Sequence, residues 1–296
     1  MSANLITKRI EVSGVVQGVG FRPFLFSLAE KYDLRGEVSN TPDGVRVVAE
    51  GSSEAIKGFC SDIIDKKPVL ALITEIQTFE AAPGGFSQFK IVPSQADGKR
   101  GTLISPDVAV CRDCLLEMRD PADRRFEYPF INCTNCGPRF TIIEDIPYDR
   151  PKTAMKGFTL CPACQAEYDD PKDRRFHAQP NACPVCGPKV FLTDNKGKKA
   201  AKGTKEAVEL AARYLSEGRI LAIKGLGGFH LACDAGNEKA VQALRERKKR
   251  PHKPFALMAE SVSSILKYVH VNAEEQKLLE SWHRPIVLLN KKQIDS

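Results

Sequence analysis

Eight of the ten cysteines fall in one stretch as four Cys-x-x-Cys pairs: Cys111/Cys114, Cys133/Cys136, Cys161/Cys164 and Cys183/Cys186. A turn of this spacing aims two thiolates at one point, and two such turns complete a tetrahedral four-sulfur site for zinc. Four sulfurs leave no open coordination position, so the two expected zinc ions are structural and not catalytic. A shift of 50 residues superposes 111–138 on 161–188 with 13 of 28 positions identical, including Asp-Arg-Arg-Phe (123–126 and 173–176) and Cys-Gly-Pro (136–138 and 186–188). The stretch is therefore a duplicated unit. Redox dithiols leave that duplication unexplained, and iron–sulfur ligation is the remaining alternative. The repeat suggests one ion on Cys111, Cys114, Cys133 and Cys136 and the other on Cys161, Cys164, Cys183 and Cys186. An interleaved arrangement, outer pairs on one ion and inner pairs on the second, stays open. The region has few apolar residues, so metal binding is expected to supply much of its folding free energy.

A second motif lies near the N-terminus, in Gly-Val-Val-Gln-Gly-Val-Gly-Phe-Arg-Pro-Phe (14–24). Gly14, Gly18 and Gly20 let the chain turn tightly with its amides facing inward. Together with the start of a following helix, Gln17, Gly18, Val19, Gly20 and Phe21 would form a nest for a phosphate or acyl-phosphate anion. Arg22 sits where its guanidinium could clamp the same oxygens. Read more plainly, the segment is a glycine-rich turn with a surface arginine.

These motifs need elements to hold them. Residues 8–16 alternate like a strand, and 24–34 have helical spacing with Pro23 in the first turn. Residues 36–40 and 45–51 read as strands around the turn 41–44. Residues 52–66 read as a helix capped by serine, with Ile56, Phe59, Ile63 and Ile64 as its apolar face. Two further strands are expected over 71–79 and 86–92. The order β-α-β-β-α-β, with one additional edge strand, predicts an α+β ferredoxin-like sandwich over 1–92. A Pro/Gly/Ser-rich linker (93–106) opens the cysteine region, 93–192, and a polar basic linker (193–203) closes it. The remainder, 204–296, reads as α/β: helices over 206–219 and 238–250, a strand and glycine turn over 220–233, and buried strands at 255–259 and 286–290.

Composition sets limits on partners. Hydrophobic residues make up 42% of the 296, which excludes disorder as the main state. With 44 Lys and Arg against 37 Asp and Glu the formal charge is +7. Eight thiolates and two divalent zinc ions reduce this to about +3, so strong nucleic-acid affinity is not implied by charge alone. No apolar run approaches the ~18 residues of a membrane span, and the N-terminus has no apolar signal core. A cytoplasmic protein with no membrane partner is expected, in keeping with cysteines used for metal.

The stretch Val-Ser-Gly-Val-Val-Gln-Gly-Val-Gly-Phe-Arg resembles the signature of the acylphosphatase family. In that family the loop amides and the arginine bind phosphate, and an asparagine on a neighbouring strand orients the attacking water. The matching positions are Arg22 and, in Gly-Glu-Val-Ser-Asn-Thr, Asn40. The hairpin after Asn40 is one residue shorter than in small stand-alone members.

The combination of modules is similar to the N-terminal part of the carbamoyltransferase family that matures NiFe hydrogenases. Residues 14–24, 102–114, 128–155, 173–188, 224–235 and 248–258 carry the match. The resemblance implies hydrolysis of carbamoyl phosphate to carbamate by the first domain. It further implies Mg-dependent joining of carbamate to AMP from ATP by a domain similar to threonylcarbamoyl-adenylate synthases. Transfer to the C-terminal cysteine of a partner hydrogenase-maturation protein would follow. Lys224, Lys248, Arg250 and Lys253 are the expected nucleotide-phosphate contacts; read plainly, the basic run 245–253 is a solvated helix end. Double-stranded RNA is a further partner that the synthase resemblance implies. The chain ends about halfway through the implied synthase domain, so a complete hydrolase with incomplete adenylation and transfer machinery is expected. The competing reading is a zinc-dependent RNA- or protein-binding module with an inactive acylphosphatase fold.

Overall fold

The computed structural model describes residues 5–95, 101–201 and 203–293. Parts of both expected linkers, 96–100 and residue 202, lie outside the described residues, as do the chain ends. The chain forms two compact units, one up to Pro188 and one from Lys189.

The first unit opens with β1 (Ile6–Val15), α1 (Phe21–Lys31), β2 (Arg35–Thr41), β3 (Gly44–Gly51), α2 (Ser53–Asp65), β4 (Leu72–Glu80) and β5 (Phe89–Ile91). The strands form one sheet in the order β4-β1-β3-β2-β5, antiparallel except for the β2–β5 edge pair. This is the expected ferredoxin-like sandwich with its additional edge strand. Alternation along β1 and β3 sends Ile10, Val12, Val45 and Val47 to one face, where Leu25 and Leu28 of α1 and Ile56, Phe59 and Ile63 of α2 cover them. Ser52 caps α2 by accepting from the Ala55 amide. Ile64, expected on the same face, is exposed. At 100° per residue it lies about 80° round the helix from Ile56, whereas Ile63 lies within about 20°.

The β1–β4 register slips between Ser13 and Gly14. This bulge turns β1 toward the glycine loop. Gly14 has φ +122, and a Cβ there would stand 2.1 Å from the Leu72 carbonyl oxygen.

The cysteine region adds α3 (Arg112–Arg119), α4 (Pro162–Asp169) and three short 3-10 turns at Phe140–Ile142, Arg150–Lys152 and Ala154–Gly157. The two helices occupy corresponding places in the repeat, each with its first cysteine at the N-cap.

The second unit contains α5 (Thr204–Ser216), the hairpin β6 (Leu221–Lys224) and β7 (Phe229–Ala232), α6 (Glu238–Arg247), α7 (Val262–Ile265) and α8 (Ala273–Glu280). Two expectations fail here. Segments 255–259 and 286–290 are not strands, and Leu257, Met258, Ile286 and Leu288 are exposed. An apolar run becomes a buried strand only beside partner strands, and among the described residues this unit has only the β6–β7 pair. The helix expected over 238–250 ends at Arg247; Lys249 has φ +50, and Pro251 disfavours helical geometry at Arg250.

Gly14→Ala combines a forbidden φ with a backbone clash. It is expected to cost roughly 2–3 kcal/mol, read as a lower urea midpoint at unchanged slope; a midpoint equal to wild type would show that the bulge relaxes freely.

Candidate functional site

The eight cysteines form two clusters, Cys111/Cys114/Cys133/Cys136 and Cys161/Cys164/Cys183/Cys186, with all sulfurs of each within 4.8 Å of one another. This is the sequential grouping, not the interleaved one. Neighbouring Sγ atoms lie 3.7 Å (Cys111–Cys133), 3.8 Å (Cys133–Cys136) and 3.5 Å (Cys114–Cys136) apart. In the second cluster Cys161–Cys183, Cys183–Cys186 and Cys164–Cys186 give 3.7, 3.8 and 3.6 Å. Tetrahedral ligands at about 2.3 Å from a zinc ion stand about 3.8 Å from one another, and a disulfide would need about 2.05 Å. Both clusters fit a zinc ion.

The repeats exchange their arginines. Arg124 and Arg125 of the first repeat reach the second: their Nη2 atoms lie 3.2 and 3.6 Å from Cys164 Sγ, and both guanidiniums bind Glu167. Arg174 and Arg175 of the second repeat return the arrangement. Arg174 Nη1 lies 3.2 Å from Cys114 Sγ, and both pair with Glu117. Even the backbone contacts correspond, Arg125 Nε to the Ala182 carbonyl (2.9 Å) and Arg175 Nε to that of Asn132 (3.0 Å). A zinc ion with four thiolates carries a net −2, and donors to its sulfurs offset part of that charge. Burial pushes the Glu167 carboxyl up, but the hydrogen bonds from Arg125 and Arg124 outweigh it and bring it to about 2.

The glycine loop runs from the end of β1 to the start of α1. Gly18 and Gly20 take φ +72 and +74, conformations that other residues rarely adopt. Val19 and Phe21 send their side chains into the core, so only their backbones can serve a ligand. Among the described residues, the amides of Val16 to Gly20 donate to no protein acceptor. Gln17 braces the loop: its Nε2 donates to the carbonyls of Thr41 (2.8 Å) and Gly44 (2.7 Å), and its Oε1 accepts from the Tyr148 amide (2.7 Å).

Arg22 and Asn40 come together beside this loop, and the cysteine region covers them. Arg22 Nη2 donates to Asp149 Oδ1 at 2.8 Å, and Asn40 Nδ2 donates to the Tyr148 carbonyl at 3.2 Å. Asn40 is 1% exposed, and its Oδ1 has no hydrogen-bond partner among the described residues. The cavity between them, about 30 Å³, is partly open and is lined by Gly18, Arg22, Asn40, Arg139, Tyr148 and His177 among others. That is room for one or two waters. Burial pushes the Tyr148 phenol up to about 12.

Sequence reasoning missed this cover. Tyr148, Asp149 and Arg139 carry no local pattern. His177 is half-buried against Tyr168 and Phe176 at the cavity. The repeated Arg-Arg and Glu117/Glu167 were visible signals of the arginine exchange, but only once the repeat is given a pair-wise fold.

The proposed nucleotide contacts lie in the second unit. Lys224 sits at the end of β6 with its Nζ 5.6 Å from the Phe229 ring centre. Lys248 caps α6, and the following loop holds Arg250 and Lys253. Arg245 ties that loop by donating to the carbonyls of Arg250 (2.9 Å) and Lys253 (3.1 Å). No hydrogen bond or ion pair joins Lys224 to the loop among the described residues.

Two measurements test this geometry. Because each repeat's guanidiniums serve the other's sulfurs, the metals should leave together. Chelator titration read by native mass spectrometry is expected to show two-zinc and zinc-free chains, and a dominant one-zinc species would show independent sites. Separately, burial pushes the His177 imidazole down to about 4, with the Arg22 charge adding to it. The unfolded chain then binds more protons below about 6.5, so stability falls as pH drops from there toward 4. The thermal midpoint should drop less over this window in His177→Gln; equal slopes would show that His177 titrates freely.

Comparisons with known proteins follow the same three parts. Family models match as Acylphosphatase over residues 8–91, as the HypF finger over 110–143 and 160–193, and as Sua5/YciO/YrdC, described as telomere recombination, over 213–296. The chain is 50% identical over 288 residues to the carbamoyltransferase HypF of Synechocystis, covering 97% of this chain and 37% of that protein. It is 38% identical over 84 residues to an acylphosphatase of Thermotoga maritima, covering 28% of this chain and 92% of that protein. A crystal structure of full-length HypF in the phosphate- and nucleotide-bound form matches with a TM-score of 0.93 at 49% identity, over 100% of this chain and 38% of that one. The chain thus spans a little over a third of the length of the HypF relatives it matches. No helix among the described residues is long and apolar enough to cross a membrane. In sequence, in the order of its matched parts and in fold, the chain belongs to the HypF carbamoyltransferase family, and its residues 8–91 to the acylphosphatases.

Proposed function

We propose that the first unit hydrolyses an acyl phosphate, with carbamoyl phosphate as substrate, for a carbamoyltransferase reaction. One observation carries the reading: Arg22 and Asn40 converge on a glycine loop whose amides donate to no protein group among the described residues. Inward amides and one guanidinium are the donors that a phosphoryl group requires. Arg22 exchanges Asp149 for phosphate oxygens, and Asn40 turns its free Oδ1 toward the attacking water. Water attacks phosphorus in line with the acyl oxygen. The new oxygen–phosphorus bond forms as the acyl oxygen–phosphorus bond breaks, carbamate leaves as an oxyanion, and both water protons go to the phosphate, released as dihydrogen phosphate that ionises in solvent. A stabilised leaving oxyanion needs no side-chain general acid.

Asp149 and the Tyr148 carbonyl stand where the donors would otherwise face an anion. A phosphoryl group bound to Arg22 and Asn40 takes the place of these two contacts, so the Tyr148–Asp149 segment yields them as substrate enters. The related full-length HypF was solved in a phosphate- and nucleotide-bound form, so phosphate is a ligand of that relative.

The later steps of the family reaction are ATP- and Mg-dependent formation of carbamoyl adenylate and transfer to the C-terminal cysteine of a partner maturation protein. We assign the nucleotide phosphates to Lys224, Lys248, Arg250 and Lys253, and place double-stranded RNA behind ATP as a ligand of the basic loop. The two zinc ions are structural, with no step assigned to them. Thiolate clusters of this kind suit the reducing cytoplasm.

Arg22→Ala is expected to lower phosphate release from carbamoyl phosphate by about 10²–10³-fold while two zinc ions per chain are retained. Release by the variant equal to wild type, or none by wild type above background, would overturn the assignment.

A further inference from the structure

Arg139 is 1% exposed, and all five of its guanidinium N–H groups have acceptors. Four of these contacts hold the turn of the first sulfur cluster. Nη1 donates to the carbonyls of Cys136 (2.8 Å) and Pro138 (3.0 Å), and Nη2 to those of Cys133 (3.2 Å) and Thr134 (3.0 Å). The fifth leaves the cysteine region altogether, Nε donating to the carbonyl of Gly18, 121 residues earlier in the chain.

We infer that Arg139 is a positioning residue for the anion loop, fixing the Gly18–Val19 peptide so that the Val19 amide faces the phosphoryl group. The inference rests on the reading of residues 14–24 as an anion loop. The carbonyl and the N–H of a trans peptide point in opposite directions. A guanidinium gripping the Gly18 oxygen from one side therefore turns the Val19 N–H to the other. Glycine on the N-terminal side makes this peptide easy to flip, and a flipped peptide presents a carbonyl to an anion instead of a donor. The restraint has to come from outside the loop, and Arg139 is the group that supplies it. The position also requires glycine for a second reason. A Cβ on Gly18 would stand 3.0 Å from Arg139 Cδ and 3.3 Å from the Tyr148 ring.

Charge acts in the same direction. Among the described residues the Arg139 guanidinium forms no ion pair with a carboxylate, and its positive charge is buried between the loop and the turn of the first sulfur cluster, among carbonyl oxygens. An anion entering the loop meets this second guanidinium charge as well as that of Arg22. Lysine could not replace it, because one ammonium cannot span the Cys133–Pro138 carbonyls and Gly18 together.

The test uses the full chain with both zinc ions confirmed by native mass spectrometry. In wild type, titration with inorganic phosphate followed by amide NMR is expected to shift the Val19 N–H strongly downfield. In Arg139→Met and Arg139→Lys the phosphate dissociation constant should rise about 10–100-fold, with KM for an acyl phosphate raised and the Val19 shift diminished. A two-zinc Arg139→Met chain that binds phosphate as tightly as wild type overturns the inference. So does a Val19 amide that stays still while wild type binds phosphate, a result that needs no variant to fold. If wild type binds no phosphate, the anion-loop reading itself fails and the inference falls with it.

Discussion

A guanidinium survives burial only when its N–H groups all find acceptors, and this requirement organises the first unit. Arg125, Arg139 and Arg175 are among its most deeply buried side chains. An unpaired buried charge would cost several kcal/mol. Arg139 has carbonyl acceptors for all five N–H groups, Arg125 meets a carbonyl, an amide oxygen, a carboxylate and a thiolate, and Arg175 a carbonyl and a carboxylate. A planar fork accepts few geometries, so each buried arginine fixes the backbone around it. The apolar cluster of the cysteine region is small and is built partly from the cysteines themselves. Metal–sulfur bonds and arginine forks do there what hydrophobic burial does in the sheet.

The arginine exchange explains why the repeat is a pair. A self-sufficient zinc finger would neutralise its own thiolates. Here the Asp-Arg-Arg-Phe of each copy serves the other's cluster, so either copy alone would hold an exposed −2 centre and two arginines without acceptors. The 50-residue shift that superposes the copies in sequence is thus a near two-fold relation in contacts. Arg139 extends the scheme by one contact. It takes the carbonyls of the first cluster's turn and attaches them to the glycine loop, tying the metal-held region to the anion site.

What was legible in the sequence follows from how local each signal is. The CxxC pairs are visible because a tetrahedral sulfur site constrains residues three apart, and the strands of the sandwich because side chains alternate across a sheet. The glycine loop is visible because its turns exclude side chains. Tyr148 and Asp149 were not visible, since they meet Asn40 and Arg22 across 108 and 127 residues with no periodicity to announce it. The segments 255–259 and 286–290 misled for the opposite reason. Their local apolar pattern is strand-like, but pairing is a property of neighbours, and the hairpin β6–β7 offers them none among the described residues.

The cover over the anion loop is a polar one, and that makes it reversible. Arg22 meets Asp149 through a single short contact, and the Asp149 side chain remains 24% exposed. On leaving, the carboxylate can recover its hydration at little cost. A phosphoryl dianion offers Arg22 a larger charge and offers the loop amides acceptors that Asp149 does not reach. Removal of the Tyr148 carbonyl returns the Asn40 amide at the same moment, so one displacement frees both side chains. Had the cover been apolar, opening it would expose hydrophobic surface at about 25 cal/mol per Å², with no compensating hydration. A carboxylate and a carbonyl can keep the donors satisfied at rest and still yield to a better anion.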